Sequence, residues 1–553
     1  MSKAEATDEA EAPRRKVLVL GLDGATFDIL HPLAEAGKLP NLARLMEEGA
    51  WGVLDSTMPP VTIPAWISMM TGLNPGKLGL FDLLKREGYG IEPNGYCFAN
   101  HAPIWKILNS YGIRTGVINI PGTYPPEEVD GFMVTGMLTP SKESSFSFPS
   151  KLQTELGESG LDYEIDLPSW QYFDPEAFFK DSLKVTEKRG KAAEYLMNNI
   201  PCDFTMVVFT SLDRIHHLIW DRTELVEAYW EELDRVLGRL LEAVGEETTV
   251  FVVSDHGFGP LERTFFVNEW LRNNGFLKAK RKINERAIVK LGRIAERLYR
   301  FLGEKELLKP VAGFLSAVMG LERLQRYTFS YLSNARLEGR VNWKKTKAFS
   351  SVHTPHFGQI YLNTESEMPE GCVQEDEKDE LISALMEKLK DLKDPKTGVP
   401  VNVDVYNSRD IYKGPHLEKA PEIVFMLDGG RCEIDAKVGE ERLFVDGAPL
   451  TGWKGTHTRD GIFIARGPRV KPGVNVEKAS ILDVAPTLLH SFGIPILDEM
   501  DGRVLDEIFE DASGLSERSA VKPMMEGKTD DSSFDDEEKA LIEERLRKLG
   551  YIS

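Results

Sequence analysis

Along the first half of the chain, short runs of almost wholly apolar residues alternate with longer stretches of mixed polarity. The first run, Lys16 to Gly24, strings together Val, Leu, Val, Leu, Gly and Leu before closing on Asp23-Gly24. An apolar run of that length without alternation predicts a parallel strand buried on both faces. It delivers Asp23 at its C-terminal edge, where α/β sheets place their ligands. Pro40 to Glu48 predicts a helix with Pro at its start and Gly49 at its end. Pro103 to Leu108 reads as helix and Thr115 to Gly122 as a further central strand. Residues 122–200 mix Pro, Ser and aromatics and are expected to fold over the sheet edge. Strand signals at Phe204–Thr210 and Thr248–Ser254 flank a helix from about Leu225 to Val244. This alternation predicts an α/β fold, a doubly wound mixed sheet with helices on both faces. Sheet signals resume at Gly358–Leu362, Glu422–Phe425 and Gly461–Ala465, and a last core helix covers about Ile481 to Phe492. The core is therefore read as one discontinuous domain, residues 15–277 and 348–510.

Charge separates the segment between those halves. Residues 278–347 hold 18 Lys/Arg against 6 Asp/Glu, a net of +12 in a chain of net −21, leaving −33 for the rest. Apolar residues at Ile288, Leu291, Ile294, Leu298 and Leu302, then Val311, Phe314, Leu315, Val318 and Leu321, have helical spacing, so the segment reads as a basic helical insertion. Residues 1–14 are expected to be disordered, 511–536 an acidic linker and 537–553 a C-terminal helix. The acidic total excludes a protein that coats nucleic acid. Four dispersed cysteines form no Cys-x-x-Cys pair, which argues against a zinc ribbon or a disulfide framework. No run approaches 18 apolar residues, and Met1–Arg15 carries no apolar signal stretch, so a cytoplasmic protein is expected.

Chemistry-bearing residues fall at the ends of the strand signals. Pro59-Pro60-Val61-Thr62-Ile63-Pro64 holds the backbone extended up to Thr62, and the apolar Ala65–Met70 reads as the first two turns of a buried helix. The Thr62 hydroxyl then lies at a helix N-terminus, a place that favours anions. Asp213 and His217, after the Phe204 strand, are four apart and share a helical face, with His216 beside them. Asp255-His256 follows the Thr248 strand, and His457 precedes the Gly461 strand. Each alone has an ordinary account as a turn, a helix-surface pair or a cap. Jointly, three Asp, three His and a Thr are hard to assign to turns. Their oxygen and nitrogen donors suit Zn2+ or a related divalent ion at about 2.0–2.2 Å. Seven ligands exceed one tetrahedral site and fit two ions, an arrangement suited to in-line phosphoryl displacement.

With these residues in place, the chain resembles the alkaline phosphatase superfamily, most nearly its type I phosphodiesterase/nucleotide pyrophosphatase family. The resemblance rests on Asp23, Thr62 with Pro64 and Thr71-Gly72, Pro103-Ile104-Trp105, Pro121-Gly122, Asp213 with His217, Asp255-His256-Gly257 and Gly455-Thr456-His457. It implies an alkaline-phosphatase-like sheet and a two-metal phosphodiesterase or pyrophosphatase acting through phospho-Thr62 on a small phosphoester or nucleotide. Asp23, Thr62, Asp255 and His256 would hold one ion, and Asp213, His217 and His457 the other. Zn2+ is the expected metal, with Mn2+ as the alternative. His216 is the weaker ligand candidate, because the family's spacing selects the His four after the Asp. The sulfatase frame nucleophile-x-Pro-x-Arg-x4-Thr-Gly is present, but with Thr62 as nucleophile and Trp66 for the Arg, which removes the formylglycine route. The Asn of nucleotide pyrophosphatases has no counterpart in Lys77–Leu83. Asp82 in that stretch, and His353 and His356 before the Gly358 strand, are the candidate substrate contacts. The alternatives are a phosphomonoesterase or phosphomutase on the same scaffold, or a metal-binding inactive scaffold. The basic insertion reads as a cap over the site, a surface for anionic membrane, or a segment packed on the core.

Overall fold

The computed structural model describes residues 15–94, 97–98, 101–167, 174–280, 337, 340–351, 355–440, 442–447, 451–511, 518–519 and 534–548. His353, the first 14 residues, almost all of the basic insertion and most of the acidic linker lie outside them.

Val17–Leu22 is the central strand, with all six residues buried. It runs parallel to Phe204–Phe209 on one side and to Thr249–Val253 on the other. The sheet continues past Phe204–Phe209 through Thr115–Ile118, Gly131–Val134 and Ser147–Phe148. Past Thr249–Val253 it continues through Asp460–Arg466, Ala50–Asp55 and Val474–Asn475. Asp460–Arg466 and Ser147–Phe148 are antiparallel to their inner neighbours, so the ten-stranded sheet is mixed. The pleat divides the central strand between two cores. Val17 and Val19 join the cluster that holds Trp66 and Trp105, and Leu18, Leu20 and Leu22 join the cluster around Tyr229 and Trp230.

Residues 122–200 extend the sheet rather than fold over its edge, and then form a 25-residue helix, Pro175–Asn199. Asp174 caps it by accepting from Glu176 N–H, and Pro175 occupies its first turn. The Gly358–Leu362 and Ile423–Leu427 strands do not join the central sheet. They pair with each other, between Ala348–Phe349 and Val403–Asn407, in a separate four-stranded sheet. With Arg263–Phe266, Cys432–Asp435, Phe444–Asp446 and the helix Lys378–Lys390 they enclose a third hydrophobic core, here called the small lobe. The basic segment is rooted in this lobe. Ala279 bridges Val341, Lys280 N–H donates to Arg340 O, and Trp343 is buried against Tyr89 with ring centroids 3.9 Å apart. Arg518–Ser519, within the expected linker, pairs with Ile496–Leu497, and the last helix is Asp536–Lys548. No helix among the described residues is long and apolar enough to cross a membrane.

Candidate active site

Three neighbouring parallel strands end at one place. Val17–Leu22 leads to Asp23, Phe204–Phe209 leads through Thr210 into the helix Ser211–Ile219, and Thr249–Val253 leads to Ser254-Asp255-His256. The helix carries Asp213 and His217 on one face, with His217 Nε2 3.4 Å from Asp213 Oδ1. His457 arrives from the side on Gly455–Thr458, which pairs antiparallel with Gly257–Pro260 so that His457 lies opposite Phe258. Its Nε2 is 3.0 Å from both Asp213 Oδ1 and His217 Nε2. His256 Nε2 lies 3.3 Å from Asp255 Oδ2, 3.6 Å from Asp23 Oδ1 and 3.9 Å from Asp213 Oδ1. All six side chains are 0% exposed.

Thr62 is the first residue of the helix Thr62–Thr71, which starts three residues earlier than the apolar run suggests. Pro64 needs no N–H partner in the first turn, so it does not delay the start. All ten residues of the helix are buried, and Gly72 ends it at φ 68°. Trp66, at the sulfatase Arg position, packs on the central strand, where a Cβ on Gly21 would come within 2.6 Å of its ring. The helix is tied to the histidines through Pro60, whose carbonyl lies 2.8 Å from His457 Nδ1. The Thr62 hydroxyl is buried, with no hydrogen-bond partner among the described residues.

The electrostatics are those of several carboxylates buried together. Burial, then Asp255 and Asp213, pushes the Asp23 carboxyl well above the usual range. Burial and Asp213 do the same to Asp255. For Asp213 burial acts in the same sense, but His217 and Arg214 outweigh it and hold the carboxyl well below the usual range. Burial lowers His217 to about 4 and carries His256 well below its ordinary value, so both rings are neutral.

The nitrogens show where a cation fits. Nδ1 of His217, His256 and His457 faces a backbone carbonyl, of Gly455, Gly257 and Pro60 respectively, at 2.8–3.1 Å. A carbonyl only accepts, so each Nδ1 carries a proton, and the neutral rings of His217 and His256 present the lone pair at Nε2. Nε2 of His457 faces Nε2 of His217 and Asp213 Oδ1, and Nε2 of His256 faces the carboxylates of Asp255 and Asp23, a gathering of electron-rich atoms that a cation between them would relieve. Both Asp23 carboxylate oxygens, Asp255 Oδ2, His256 Nε2 and Thr62 Oγ1 are buried without hydrogen-bond partners among the described residues. The donor set therefore fits divalent ions, and holding the second ring nitrogen is how proteins orient a ligating histidine. Metal-ligand groupings form around Asp23, Asp255 and His256, and around Asp213, His256 and His457. His216 is different: Nδ1 meets Gly24 O at 3.1 Å, and Nε2 accepts from Trp230 Nε1 at 3.1 Å. Both of its nitrogens are occupied.

A family model for type I phosphodiesterase / nucleotide pyrophosphatase matches residues 17–437. The chain belongs to this family. It is a hydrolase of the alkaline phosphatase superfamily, and the family is metal-dependent. Among solved structures, phosphonoacetate hydrolase of Sinorhizobium meliloti 1021, in complex with phosphonoformate, aligns with TM-score 0.52 and 15% identity over 87% of this chain and 95% of that one. Human ectonucleotide pyrophosphatase/phosphodiesterase 5 aligns with TM-score 0.48 and 14% identity over 90% of this chain and 100% of that one. The first of these likenesses is one of fold. No curated protein matches.

Within this family member, the remaining candidates separate. Asp82 stands outside the metal-ligand groupings: its carboxylate accepts from Leu83 N–H at 2.6 Å and lies 3.3 Å from Gln359 Nε2. The nearby Asn94 amide is spent on the carbonyls of Asp82 and Leu83, so it does not replace the absent family Asn. His356 is buried among the ligand histidines, stacked on His457 with centroids 3.7 Å apart at 9°. Sequence reasoning missed Arg214 and Asp166. Arg214, fully buried, binds Asp213 at 2.5 Å and Asp166 at 2.8 Å, so it fixes one Asp213 oxygen and leaves the other toward the histidines. Adjacency to Asp213 was the available signal for Arg214. Asp166 gives none, since it lies in the segment without periodicity.

Proposed function

We propose that this hydrolase is a two-metal phosphodiesterase/nucleotide pyrophosphatase that works through a phosphothreonine at Thr62. The observation that carries the reading is the buried Thr62 hydroxyl, without a hydrogen-bond partner among the described residues, at the N-terminus of a helix whose preceding Pro60 carbonyl holds His457, a member of the metal-ligand groupings. Asp23, Thr62, Asp255 and His256 would hold one ion, and Asp213, His217 and His457 the other. Zn2+ suits these donors, with Mn2+ as the alternative. When bound, the ions lower the hydroxyl pKa and neutralise charge on the leaving oxygen.

The residues do the rest. Thr62 gives up its proton to water, and its oxygen bonds to phosphorus as the bond to the leaving group breaks, so that the phosphoryl group on Thr62 still carries the substrate's second ester. The leaving oxygen departs with the electron pair and takes a proton from water. Free N–H groups of the first helical turn face the phosphoryl oxygens. Water then attacks phosphorus opposite Thr62 and restores the hydroxyl, so one diester and one water give one monoester and one alcohol. The substrate is a small phosphoester or nucleotide. The test is the purified protein with Zn2+ or Mn2+ on an aryl phosphodiester and an aryl phosphomonoester side by side. Faster diester hydrolysis, lost in Thr62→Ala, is the expected result. Monoester preference would instead make it a phosphatase or mutase, and hydrolysis of neither would leave a metal-binding scaffold.

A further inference from the structure

His356 reaches the site from the small lobe, two residues before the Gly358–Leu362 strand. Its Nε2 is buried and has no hydrogen-bond partner among the described residues. Its Nδ1 lies 3.2 Å from Thr456 Oγ1, so it shares the arrangement of the three ligand histidines: one nitrogen held by a neighbour, the other aimed inward. The ring is clamped. It stacks on His457, on Trp453 at 5.0 Å and 11°, and on His217 at 5.1 Å and 24°. Ligand nitrogens of His217, His356 and His457 all lie within 4.8 Å of one another.

We propose that His356 is a fourth protein ligand to the ion held by Asp213, His217 and His457. The inference rests on the two-ion reading above. It makes the two sites chemically unequal: three imidazoles and a carboxylate at one, two carboxylates, a hydroxyl and one imidazole at the other. The nitrogen-rich site selects ions high in the divalent series, such as Zn2+, whereas the oxygen-rich site also takes Mn2+. All four donors of the nitrogen-rich site stay unreacted through turnover, whereas one of the four at the oxygen-rich site, Thr62, is the reacting group. The small lobe, which has its own core, is then locked to the central sheet by a metal bond.

The test uses the full chain stripped of metal and titrated with Co2+, read by calorimetry and by visible absorption. Wild type should bind two equivalents, one with the intense absorption of a four-coordinate ion. His356→Phe keeps a ring to stack on His457 and removes only the nitrogens; His356→Ala removes both. Each should weaken one equivalent by at least about tenfold and bleach the intense band, leaving the other equivalent unchanged. The near-UV spectrum of each metal-free variant should match that of metal-free wild type. Unchanged affinity and spectrum in both variants would overturn the proposal, as would equal weakening of both equivalents. Fewer than two equivalents in wild type would instead overturn the two-ion reading beneath it.

Discussion

His216 and His217 are adjacent, equally buried and of the same residue type, yet only one turns a ring nitrogen toward the other ligand candidates. The difference lies in what each ring meets. Gly24 O and Trp230 Nε1–H take both nitrogens of His216, whereas Gly455 O orients Nδ1 of His217 and turns Nε2 to Asp213 and His457. His217→Ala is expected to lose one metal equivalent and most activity, while His216→Ala keeps both equivalents and costs mainly stability. Metal analysis of the two variants checks this, and the reverse ranking would move the ligand role to His216. The Asp-x3-His spacing already favoured His217 in the sequence, but the partners that exclude His216 lie 14 and 192 residues away, beyond any local pattern. A second residue-scale expectation concerns Glu422 in the small lobe. Burial raises its carboxyl to about 7, and the Leu362 N–H and Lys378 only partly offset this. Between pH 4.5 and 7 the native state therefore binds more protons than the unfolded chain, so this group's contribution to stability falls as pH rises through that window. Glu422→Gln should stabilise the protein by about 1–3 kcal/mol at pH 8 and by little at pH 4, read from melts at the two values.

At the scale of elements, the strands that carry the site were legible, and those of the small lobe were legible as strands but not as a separate sheet. Val17–Leu22, Phe204–Phe209 and Thr249–Val253 are buried on both faces, and continuous apolar runs say so without ambiguity. Gly358–Leu362 and Ile423–Leu427 are just as fully buried, and nothing in such a run tells which sheet buries it. The helix Pro175–Asn199 went unread because its buried face includes Ser182, Thr186 and Arg189, which break the apolar stripe. Arg189 earns its place there by binding Thr210 Oγ1 at 3.1 Å and Ile165 O at 2.6 Å, just before the Asp213 helix. The C-terminal helix Asp536–Lys548 buries Ile542 and Leu546 against the core, and its Arg545 donates to Thr139 O at 2.7 Å. Burial works against charge on Asp166, but Arg214 and then Arg545 outweigh it and hold the carboxyl below its usual range. The helix thus supports the Asp166–Arg214–Asp213 chain from behind. Ile542→Asp should release it, read as lost amide-exchange protection over residues 536–548. Turnover should then fall severalfold as Asp166 loses Arg545; unchanged turnover with a released helix would confine it to a packing role.

At the scale of the whole molecule, the charge is divided between a segment, 278–347, of net +12 and the rest of the chain, of net −33. The segment leaves the small lobe at Lys280 and rejoins it at Arg340, the same lobe that presents His356 to the ligand cluster. Substrates of this family are anions, and net positive charge in a segment anchored on that lobe would raise their local concentration. Neutralising Arg293, Arg297 and Arg300 is therefore expected to lower kcat/KM severalfold at low salt and to matter little at high salt, where screening removes the long-range field. Unchanged hydrolysis of a soluble diester, together with release from anionic vesicles, would instead assign the segment to a membrane surface.

Covalent chemistry at Thr62 leaves an adduct that can be trapped. Its most direct test is acid quenching of the enzyme during turnover of a diester with an excellent leaving group, followed by mass spectrometry of the peptide spanning Thr62. Wild type should carry on Thr62 one phosphoryl group still esterified to the alcohol that the product monoester retains, and Thr62→Ala should give no such peptide and less than about a hundredth of the wild-type kcat, with metal content retained. An unmodified Thr62 during rapid turnover, with Thr62→Ala still active, would contradict it and give the attack to water.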